Sequence, residues 1–358
     1  MRSHLVRHGG WALVAVVLTG LLESATAAAQ TQAWSPPTIE AAARRLPRLY
    51  SLVVSRGGAV IFEGYYSGAR ADRPANIKSA SKSVISTLVG IAIQQGAIPG
   101  VKTPITTYFP ELARDPDPRK RTITVEHLLT MRSGLDGTSG RNYGEWVMSR
   151  DWVRHALARP MMEPPGEEME YSTGNSHLLS AILTKATGKS TLQFANEVLA
   201  GPLGFRLAAW TRDPQGIFFG GNEMSMTSRQ MLALGELYLN QGRARGVPIV
   251  PAAWVQQSCE GRTRNRRPGG QAFGGTGFLD PMRDRKYGFG WWVHDIAGYD
   301  TCFAWGYGGQ YIFVVPDLDL VVATTSSPDV SEERRGHRQG LFDILERLVV
   351  EPLGPRSR

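Results

Sequence analysis

The stretch "NIKSASKSVIST" (76–87) places four serines and two lysines at the beginning of an apolar helical pattern. Over residues 79–95 apolar side chains occupy most of a helix surface, and Gly96 ends the pattern. Such a distribution predicts a helix that is buried on nearly all sides. The stretch therefore predicts a central helix with several hydroxyl groups at its N-terminus.

Ser79 is the serine of this stretch that has a lysine three residues later, Lys82. Residues at i and i+3 lie on one face of a helix, so the two side chains can meet. The free N–H groups and the positive dipole end of a helix N-terminus favour anions, which would support an oxyanion and lower the pKa of Lys82. Taken alone, the pattern also fits a helix-capping serine beside a surface lysine.

Two later segments carry residues that could complete a site with Ser79. In "PPGEEMEYSTGNSHLL" (164–179), a Pro-Gly turn leads to Tyr171 and then to a helix. A phenol held beside Lys82 could be kept partly ionised and act as a base, or it could simply anchor a loop. In "AWGYGGQYIFVVP" (304–316), three glycines indicate either close approach of a strand backbone to a ligand or a glycine-rich bulge.

The order of secondary-structure signals indicates strands at both ends of the chain and helices between them. "LYSLVVSRGGAVIFEGYYSG" (49–68) is typical of a β-hairpin, and residues of about 100–250 alternate helix patterns with turns. Strand patterns return at 287–296 and 310–326, and an amphipathic helix pattern follows at 334–353. We therefore expect both ends of the chain to contribute to one sheet, with a helical subdomain inserted at about 100–250.

The first residues have the features of a secretory signal peptide. Two arginines precede an apolar run at 11–22, and Ala27-Ala28-Ala29 fits a cleavage site. An uncleaved membrane anchor is the alternative, but the run falls short of the roughly 20 apolar residues that span a bilayer. We expect a signal peptide over 1–29, a mature domain over 30–358 without a membrane anchor, and a periplasmic or secreted protein.

The composition is that of an ordinary globular protein of 358 residues, with 42% hydrophobic and 20% charged residues. The formal net charge is +8, and the densest basic run is "GRTRNRRPGG" (261–270). A nucleic-acid patch is one interpretation of this run, but no aromatic residues interrupt it, and a solvated loop fits better. We therefore expect no nucleic-acid partner.

The cysteines and histidines favour neither a redox centre nor a metal centre. Cys259 and Cys302 could form a disulfide in an oxidising compartment, or they could be two buried thiols. The histidines are scattered without HExxH or another ligand spacing. We expect no metal and no cofactor.

Taken together, Ser79 with Lys82, Tyr171 and the glycine-rich segment resemble the serine β-lactamase and penicillin-binding protein superfamily. The chain is most similar to the class C β-lactamase-like branch, which includes esterases and oligoamide hydrolases. The resemblance covers residues of about 40–350 and includes "ITVEHLLTMRSGLDG" (123–137). Further matching segments occur in the same order, at 224–242 and 247–255.

The resemblance implies an α/β (α+β) fold of the β-lactamase/transpeptidase type, in which helices flank an antiparallel sheet. It also implies that Ser79 is the acylated nucleophile and that Lys82 and Tyr171 form the proton-transfer pair. The backbone N–H groups of Ser79 and Tyr307 would form the oxyanion hole.

Two departures from the family pattern bear on the substrate. Where the family has Tyr-x-Asn, this chain has Tyr171-Ser172-Thr173, and an asparagine follows only at Asn175. Where β-lactamases and transpeptidases have Lys-Thr-Gly, this chain has Ala304-Trp305-Gly306. The missing lysine would remove a charge-assisted contact to a substrate carboxylate, worth about 1.5–3 kcal/mol.

These departures predict a small-molecule ester or linear amide as the substrate, with Asn175, Trp305 and Gly306 as its contacts. Trp291 and Trp292 could line the same apolar pocket or lie in the core. The leading hypothesis is a secreted serine hydrolase that forms an acyl-enzyme on Ser79. The alternatives are a β-lactamase or D,D-peptidase acting on cell-wall peptides, and an inactive cell-wall binding protein. The sequence leaves the oligomeric state open.

Overall fold

The fold is organised around one antiparallel sheet. A computed structural model of the chain describes residues 33–264, apart from residue 209, and residues 285–354. The predicted signal peptide (1–29) and most of the arginine-rich run (265–270) lie outside these described residues. The described residues of Gln32–Arg358 belong to one compact unit.

The described part of the chain contains an eight-stranded sheet and two short ribbons. In the sheet the order is β2-β1-β12-β11-β10-β9-β8-β7, and every neighbouring pair is antiparallel. The ribbons pair β3 with β4 and β5 with β6. The strands are β1 (Leu49–Arg56), β2 (Ala59–Tyr65), β3 (Ala75–Asn76), β4 (Ser225–Met226), β5 (Arg243–Ala244), β6 (Val247–Pro248), β7 (Thr263–Arg264), β8 (Lys286–Tyr287), β9 (Trp292–Ile296), β10 (Tyr299–Gly306), β11 (Gln310–Val315) and β12 (Leu320–Ser326).

The helices lie on both faces of this sheet, and α3 to α8 fall within the region of about 100–250. The helices are α1 (Pro36–Arg44), α2 (Ser81–Gln94), α3 (Val125–Leu129), α4 (Tyr143–Met148), α5 (Trp152–Ala158), α6 (Thr173–Thr187), α7 (Thr191–Ala195), α8 (Ser228–Leu239), α9 (Ala252–Cys259), α10 (Arg334–Asp343) and α11 (Glu351–Leu353). Two π-helical segments follow α7 and α10, at Asn196–Ala200 and Ile344–Val350. A 3-10 turn, Lys78–Ala80, precedes α2 and is called the serine turn below.

The sheet joins the two ends of the chain, as the sequence predicted. The hairpin predicted over 49–68 is β1 and β2, and β1 pairs along its whole length with β12, Leu52 opposite Thr324. The predicted antiparallel sheet with flanking helices is thus confirmed. The strand pattern over 310–326 forms β11 and β12, which are separated where Pro316 starts a 3-10 turn and Asp319 adopts a left-handed conformation (φ 48°).

Both faces of the sheet are covered, so its central strands are buried almost throughout. Val53 of β1 packs in the cluster that contains α2 and α8, whereas Leu52 and Val54 pack with α1, α10 and the second π-helical segment. Adjacent strand residues point to opposite faces, which produces this division. Gly235 lets α8 touch the sheet, because an added Cβ would lie 2.4 Å from Val321.

The central helix α2 is buried from Ser81 to Ala92, as its apolar pattern predicted. Two of its buried hydroxyls bond to neighbouring backbone: Ser83 Oγ donates to the Gly290 carbonyl at 2.7 Å, and Ser86 Oγ donates to the Phe289 carbonyl at 2.5 Å. Such partners remove the penalty of burying a hydroxyl. Within the described ranges, no helix is both long and apolar enough to cross a membrane.

Cys259 and Cys302 form a disulfide, which decides between the two alternatives that the sequence left open. The bond joins the end of α9 to β10, the strand that ends at Gly306. The sequence separation of 43 residues means that reduction releases a long loop in the unfolded chain.

We predict that replacing both cysteines, in a Cys259→Ala/Cys302→Ala variant, lowers the free energy of unfolding by about 2–4 kcal/mol. The physical reason is the loop-closure entropy that the cross-link removes from the unfolded state. Guanidinium unfolding followed by fluorescence measures the change, and reduced wild-type protein serves as the control. Equal unfolding midpoints for the variant, the oxidised protein and the reduced protein would contradict the prediction.

Candidate active site

Ser79 lies in a strained turn at the beginning of the central helix. The α-helix itself begins two residues later than the predicted start at Ser79, because the serine turn is a 3-10 segment. Lys78 has a φ of 50°, a left-handed conformation that is disfavoured for a residue with a Cβ. Its N–H donates to Asn76 Oδ1 at 2.9 Å, and its Nζ pairs with Glu223 at 2.8 Å. These contacts hold the turn that presents Ser79.

Lys82 lies beside Ser79 in the protein interior and is 3% exposed. Its Nζ is 3.1 Å from Ser79 Oγ, 2.7 Å from the Gly221 carbonyl oxygen and 3.3 Å from Thr173 Oγ1. Burial lowers the pKa of Lys82 to about 7, because the ammonium form loses its hydration. The direction of the shift is the one that the sequence predicted, and burial is its cause. Near neutral pH a large fraction of Lys82 is the neutral amine.

The oxygens around Lys82 suit a neutral amine that acts as a base. Such an amine has two N–H groups and one lone pair. The Gly221 carbonyl and Thr173 Oγ1 can accept the two N–H groups, which leaves the lone pair facing Ser79 Oγ. Ser139 Oγ accepts the Thr173 N–H at 2.9 Å and lies 2.9 Å from Thr173 Oγ1, so it can also accept the Thr173 hydroxyl hydrogen.

Tyr171 completes the group that the sequence predicted. Its ring centroid lies 5.1 Å from Lys82 Nζ, and its phenol shares a hydrogen bond with the Ser79 side chain. The ring stacks on Trp292, with centroids 5.8 Å apart. Burial raises the pKa of Tyr171 well above its ordinary value, although the bond to Ser79 opposes this shift. The expected partial ionisation of Tyr171 is therefore wrong, and its phenol is neutral at neutral pH.

The end of β10 lies against the backbone of the serine turn. A Cβ added to Gly306 would lie 2.1 Å from the Ile77 carbonyl oxygen, so only glycine permits this approach. Tyr307 follows directly, and the structure thus brings the two predicted oxyanion-hole segments together. The role of the Ser79 and Tyr307 N–H groups in an oxyanion hole stays a prediction.

The turn after Tyr307 is held by side chains from the sheet. Gly308 and Gly309 have φ values of 92° and 116°, which favour glycine. Gln310 Nε2 donates to the Ser326 carbonyl at 2.7 Å and to the Tyr307 carbonyl at 3.3 Å. The loop that carries Tyr307 is therefore fixed by hydrogen bonds on the side of β12.

Asn175 and Trp305, two of the predicted substrate contacts, are both buried. Asn175 is 2% exposed, and its Oδ1 accepts a hydrogen bond from Ser133 at 3.1 Å, so it supports a loop. Trp305 lies in the core, with its ring 6.0 Å from that of Trp292. The role of these two residues as substrate contacts stays a prediction. Trp291 and Trp292 are buried as well, and Trp292 stacks on Tyr171.

Sequence reasoning missed three groups that surround the Lys82 amine. Thr173 stands where the family has the asparagine of Tyr-x-Asn, and this position was the signal that could have identified it. Ser139 and the Gly221 carbonyl had no comparable signal, because nothing in the sequence indicates that their segments meet α2.

Among the residues that the structure describes, no group of three or more His, Cys, Asp or Glu side chains could hold a metal ion. The groups that meet at Ser79 are an amine, a phenol and hydroxyls. The arrangement can therefore activate the Ser79 hydroxyl as a nucleophile and return its proton to a leaving group.

We predict that Gly306→Ala lowers the rate at which Ser79 reacts with a fluorophosphonate by about 10²–10³-fold. The added methyl group forces the end of β10 away from Ile77 and displaces the Tyr307 N–H. Gly100→Ala is the control, since a Cβ there would meet no atom within 4 Å. A folded Gly306→Ala variant that reacts at the wild-type rate would argue against the oxyanion hole.

The lowered pKa of Lys82 predicts a pH dependence of the same labelling reaction. Only the neutral amine can accept the Ser79 proton, so the rate should be high above pH 7 and fall as the pH decreases through about 7. The rate constant is measured across this range by intact-protein mass spectrometry. Lys82→Met should react slowly at every pH. A wild-type rate that is flat through pH 7 would exclude Lys82 as the base.

The chain is similar to known proteins of one family. The family model described as Beta-lactamase matches residues 41–346. The 6-aminohexanoate-dimer hydrolase of Paenarthrobacter ureafaciens is 27% identical to this chain, and the match covers 84% of this chain and 80% of that protein.

Solved structures show the same fold at lower identity. EstCE1, a hydrolase with promiscuous acyltransferase activity, has a TM-score of 0.65 and 19% identity, over 89% of this chain and 98% of that chain. A family VIII carboxylesterase has a TM-score of 0.63 and 17% identity, over 86% of this chain and 96% of that chain. The family match covers most of the sequence, and the chain therefore belongs to the beta-lactamase family and is a serine hydrolase.

Proposed function

We propose that this chain is an exported serine hydrolase that cleaves ester or non-peptide amide bonds through an acyl-enzyme on Ser79. The observation that carries the proposal is the buried Lys82 amine, 3.1 Å from Ser79 Oγ, with its pKa lowered to about 7. A lysine in this setting is a base at neutral pH, and a serine within its reach can attack a carbonyl carbon.

Acylation involves three proton transfers. Ser79 Oγ attacks the carbonyl carbon of the substrate while the Lys82 amine takes the Ser79 proton. The carbonyl oxygen becomes an oxyanion that the Ser79 and Tyr307 N–H groups stabilise. As the tetrahedral intermediate collapses, the neutral Tyr171 phenol protonates the leaving alcohol or amine, and the Lys82 ammonium then returns a proton to Tyr171. The enzyme keeps the acyl group on Ser79.

Deacylation uses the same residues with water as the nucleophile. The water attacks the acyl carbon while its proton passes to the neutral Lys82 amine, directly or through Tyr171. The Ser79–acyl bond then breaks, and Ser79 Oγ receives that proton again. The products are a carboxylic acid and the alcohol or amine released earlier, so atoms and charges balance without a cofactor.

The glycine-rich segment (304–316) supports a substrate that needs no carboxylate group for binding. Ala304 stands where a lysine would pair with that carboxylate, a contact worth about 1.5–3 kcal/mol. A cation beside this segment is Arg334, whose guanidinium lies 4.7 Å from the Tyr307 ring centroid and donates to its hydroxyl. Arg334 thus contacts the side chain of Tyr307. Neutral esters and linear amides fit this arrangement better than anionic penicillins.

The relatives support the same substrate class. The curated relative that matches most of this chain is named for the hydrolysis of a 6-aminohexanoate dimer, and two structural neighbours are named as a hydrolase with acyltransferase activity and a carboxylesterase. These names include the hydrolysis of a 6-aminohexanoate dimer, which is a linear amide, and of carboxylic esters. We propose a small-molecule substrate of this kind, with no nucleic acid and no membrane anchor involved.

The proposed location is the periplasm or the extracellular medium. The arginines and the apolar run of residues 1–29 have the features of an export signal. The Cys259–Cys302 disulfide supports this location, because structural disulfides persist mainly in oxidising compartments.

We predict that the purified protein hydrolyses p-nitrophenyl butyrate and that Ser79→Ala abolishes turnover without unfolding the protein. The physical reason is the loss of the nucleophilic oxygen at an otherwise intact site. Absorbance at the p-nitrophenol band measures turnover, and circular dichroism checks the fold. Ser81→Ala is the matched control, since Ser81 is a neighbouring buried serine whose hydroxyl has no hydrogen-bond partner among the described residues.

Retained turnover in Ser79→Ala would overturn the proposal. Rapid hydrolysis of the cephalosporin nitrocefin with no ester turnover would replace it with a β-lactamase. A wild-type protein that neither turns over the ester nor reacts with a fluorophosphonate would replace it with an inactive binding protein.

A further inference from the structure

A buried pair, His177 and Asp213, lies behind the carbonyl group that contacts Lys82. His177 Nε2 is 2.9 Å from the Asp213 carboxylate, and both side chains are fully buried. The rings of Trp146, Trp152 and Phe219 surround the imidazole, with centroids 5.8, 5.5 and 5.9 Å away. A carboxylate in such an apolar setting is costly unless its hydrogen bonds are satisfied.

The hydrogen bonds around Asp213 identify its state and the tautomer of His177. Burial disfavours the ionised carboxylate, but bonds from His177 and from the Ile217 and Gln215 N–H groups outweigh burial, so the pKa of Asp213 is lowered. An ionised Asp213 accepts, so Nε2 of His177 donates to it. The other ring nitrogen, Nδ1, is then available as an acceptor.

His177 Nδ1 accepts the N–H of Gly220 at 3.4 Å. The next residue along the chain, Gly221, contributes the carbonyl oxygen that accepts from Lys82 Nζ at 2.7 Å. A continuous series of contacts thus runs from the Asp213 carboxylate through His177 and the backbone of Gly220 and Gly221 to the Lys82 amine.

The backbone segment of Gly220 and Gly221 packs against one face of α6. Thr173 and His177 are four residues apart and share that face. Thr173 contacts Lys82 directly, and Ser180, one turn beyond His177, donates to the Phe218 carbonyl at 2.7 Å. A Cβ on Gly220 would lie 2.1 Å from the Ser176 carbonyl oxygen, so the segment lies directly against the helix.

We propose that His177 and Asp213 are positioning residues for Lys82. Through Gly220 they fix the Gly221 carbonyl, which accepts one N–H of the Lys82 amine and leaves its lone pair facing Ser79. The inference rests on the proposed function, because it requires Lys82 to act as the base. A pair that merely braces the loop would affect stability and leave the chemistry at Ser79 unchanged.

The test measures the rate constant for Ser79 labelling by a fluorophosphonate, with the unfolding temperature measured on the same samples. His177→Gln keeps a donor near the Nε2 position but removes the acceptor for Gly220, and we expect about a 10–100-fold slower reaction. His177→Asn keeps an acceptor near the Nδ1 position, and it should retain most of the rate. Gly221→Ala should be slow as well, because its Cβ would lie 2.9 Å from Lys82 Nζ.

Lys120→Met is the control for stability alone, because it removes another buried brace, the bonds of Lys120 to Asp115 and to the Leu157 carbonyl. We expect it to lower the unfolding temperature without slowing the labelling of folded protein. Folded His177→Gln and Gly221→Ala proteins that label at the wild-type rate would overturn the inference. The inference would also be overturned if His177→Asn and His177→Gln lost the same fraction of the labelling rate, in proportion to the decrease in their unfolding temperatures. Failure of the wild-type protein to label at all would instead refute the proposed function.

Discussion

The buried amine of Lys82 is the constraint on which the rest of the site depends. Removal from water lowers its pKa and makes the neutral form accessible near pH 7. The hydrogen bonds that water would have made to the amine must then come from the protein. Ser79, Thr173 and the Gly221 carbonyl provide them. Three segments that are far apart in the chain must therefore meet around one nitrogen atom. The burial of α2 between the sheet and the helical layer makes this meeting possible.

Glycines let backbone segments approach the site closely, because they have no Cβ atom. A Cβ on Gly221 would press on Lys82, and one on Gly306 would collide with the Ile77 carbonyl. Gly290 similarly allows a loop to reach the first two turns of α2, since its Cβ would lie 2.7 Å from Ser86 Cβ and 3.0 Å from the Lys82 carbonyl oxygen. Backbone donors and acceptors thereby reach the reacting groups, and they are fixed more rigidly than flexible side chains would be. Such preorganised dipoles stabilise developing charge at little reorganisation cost.

Much of the fold and the site could be predicted from sequence because these parts follow local periodicity. The limits of such prediction also have geometric reasons. Adjacent strand residues point to opposite faces, so Trp305 faces the core when Gly306 faces the serine turn. Residues two apart on a helix do not share a face, so Asn175 points away from the group that Thr173 joins. The ionisation of Tyr171 was mispredicted because it depends on burial, which depends on packing.

The sequence by itself determined the hairpin, the buried helix α2 and the spacing that places Lys82 three residues after Ser79. These features depend on neighbours in the chain, and the periods of helices and strands encode them. Only the tertiary structure decided that Cys259 and Cys302 are joined, that burial sets the pKa of Lys82, and that the Gly221 carbonyl contacts it. Each of these depends on segments brought together by packing, and no local pattern records which distant backbone groups will meet.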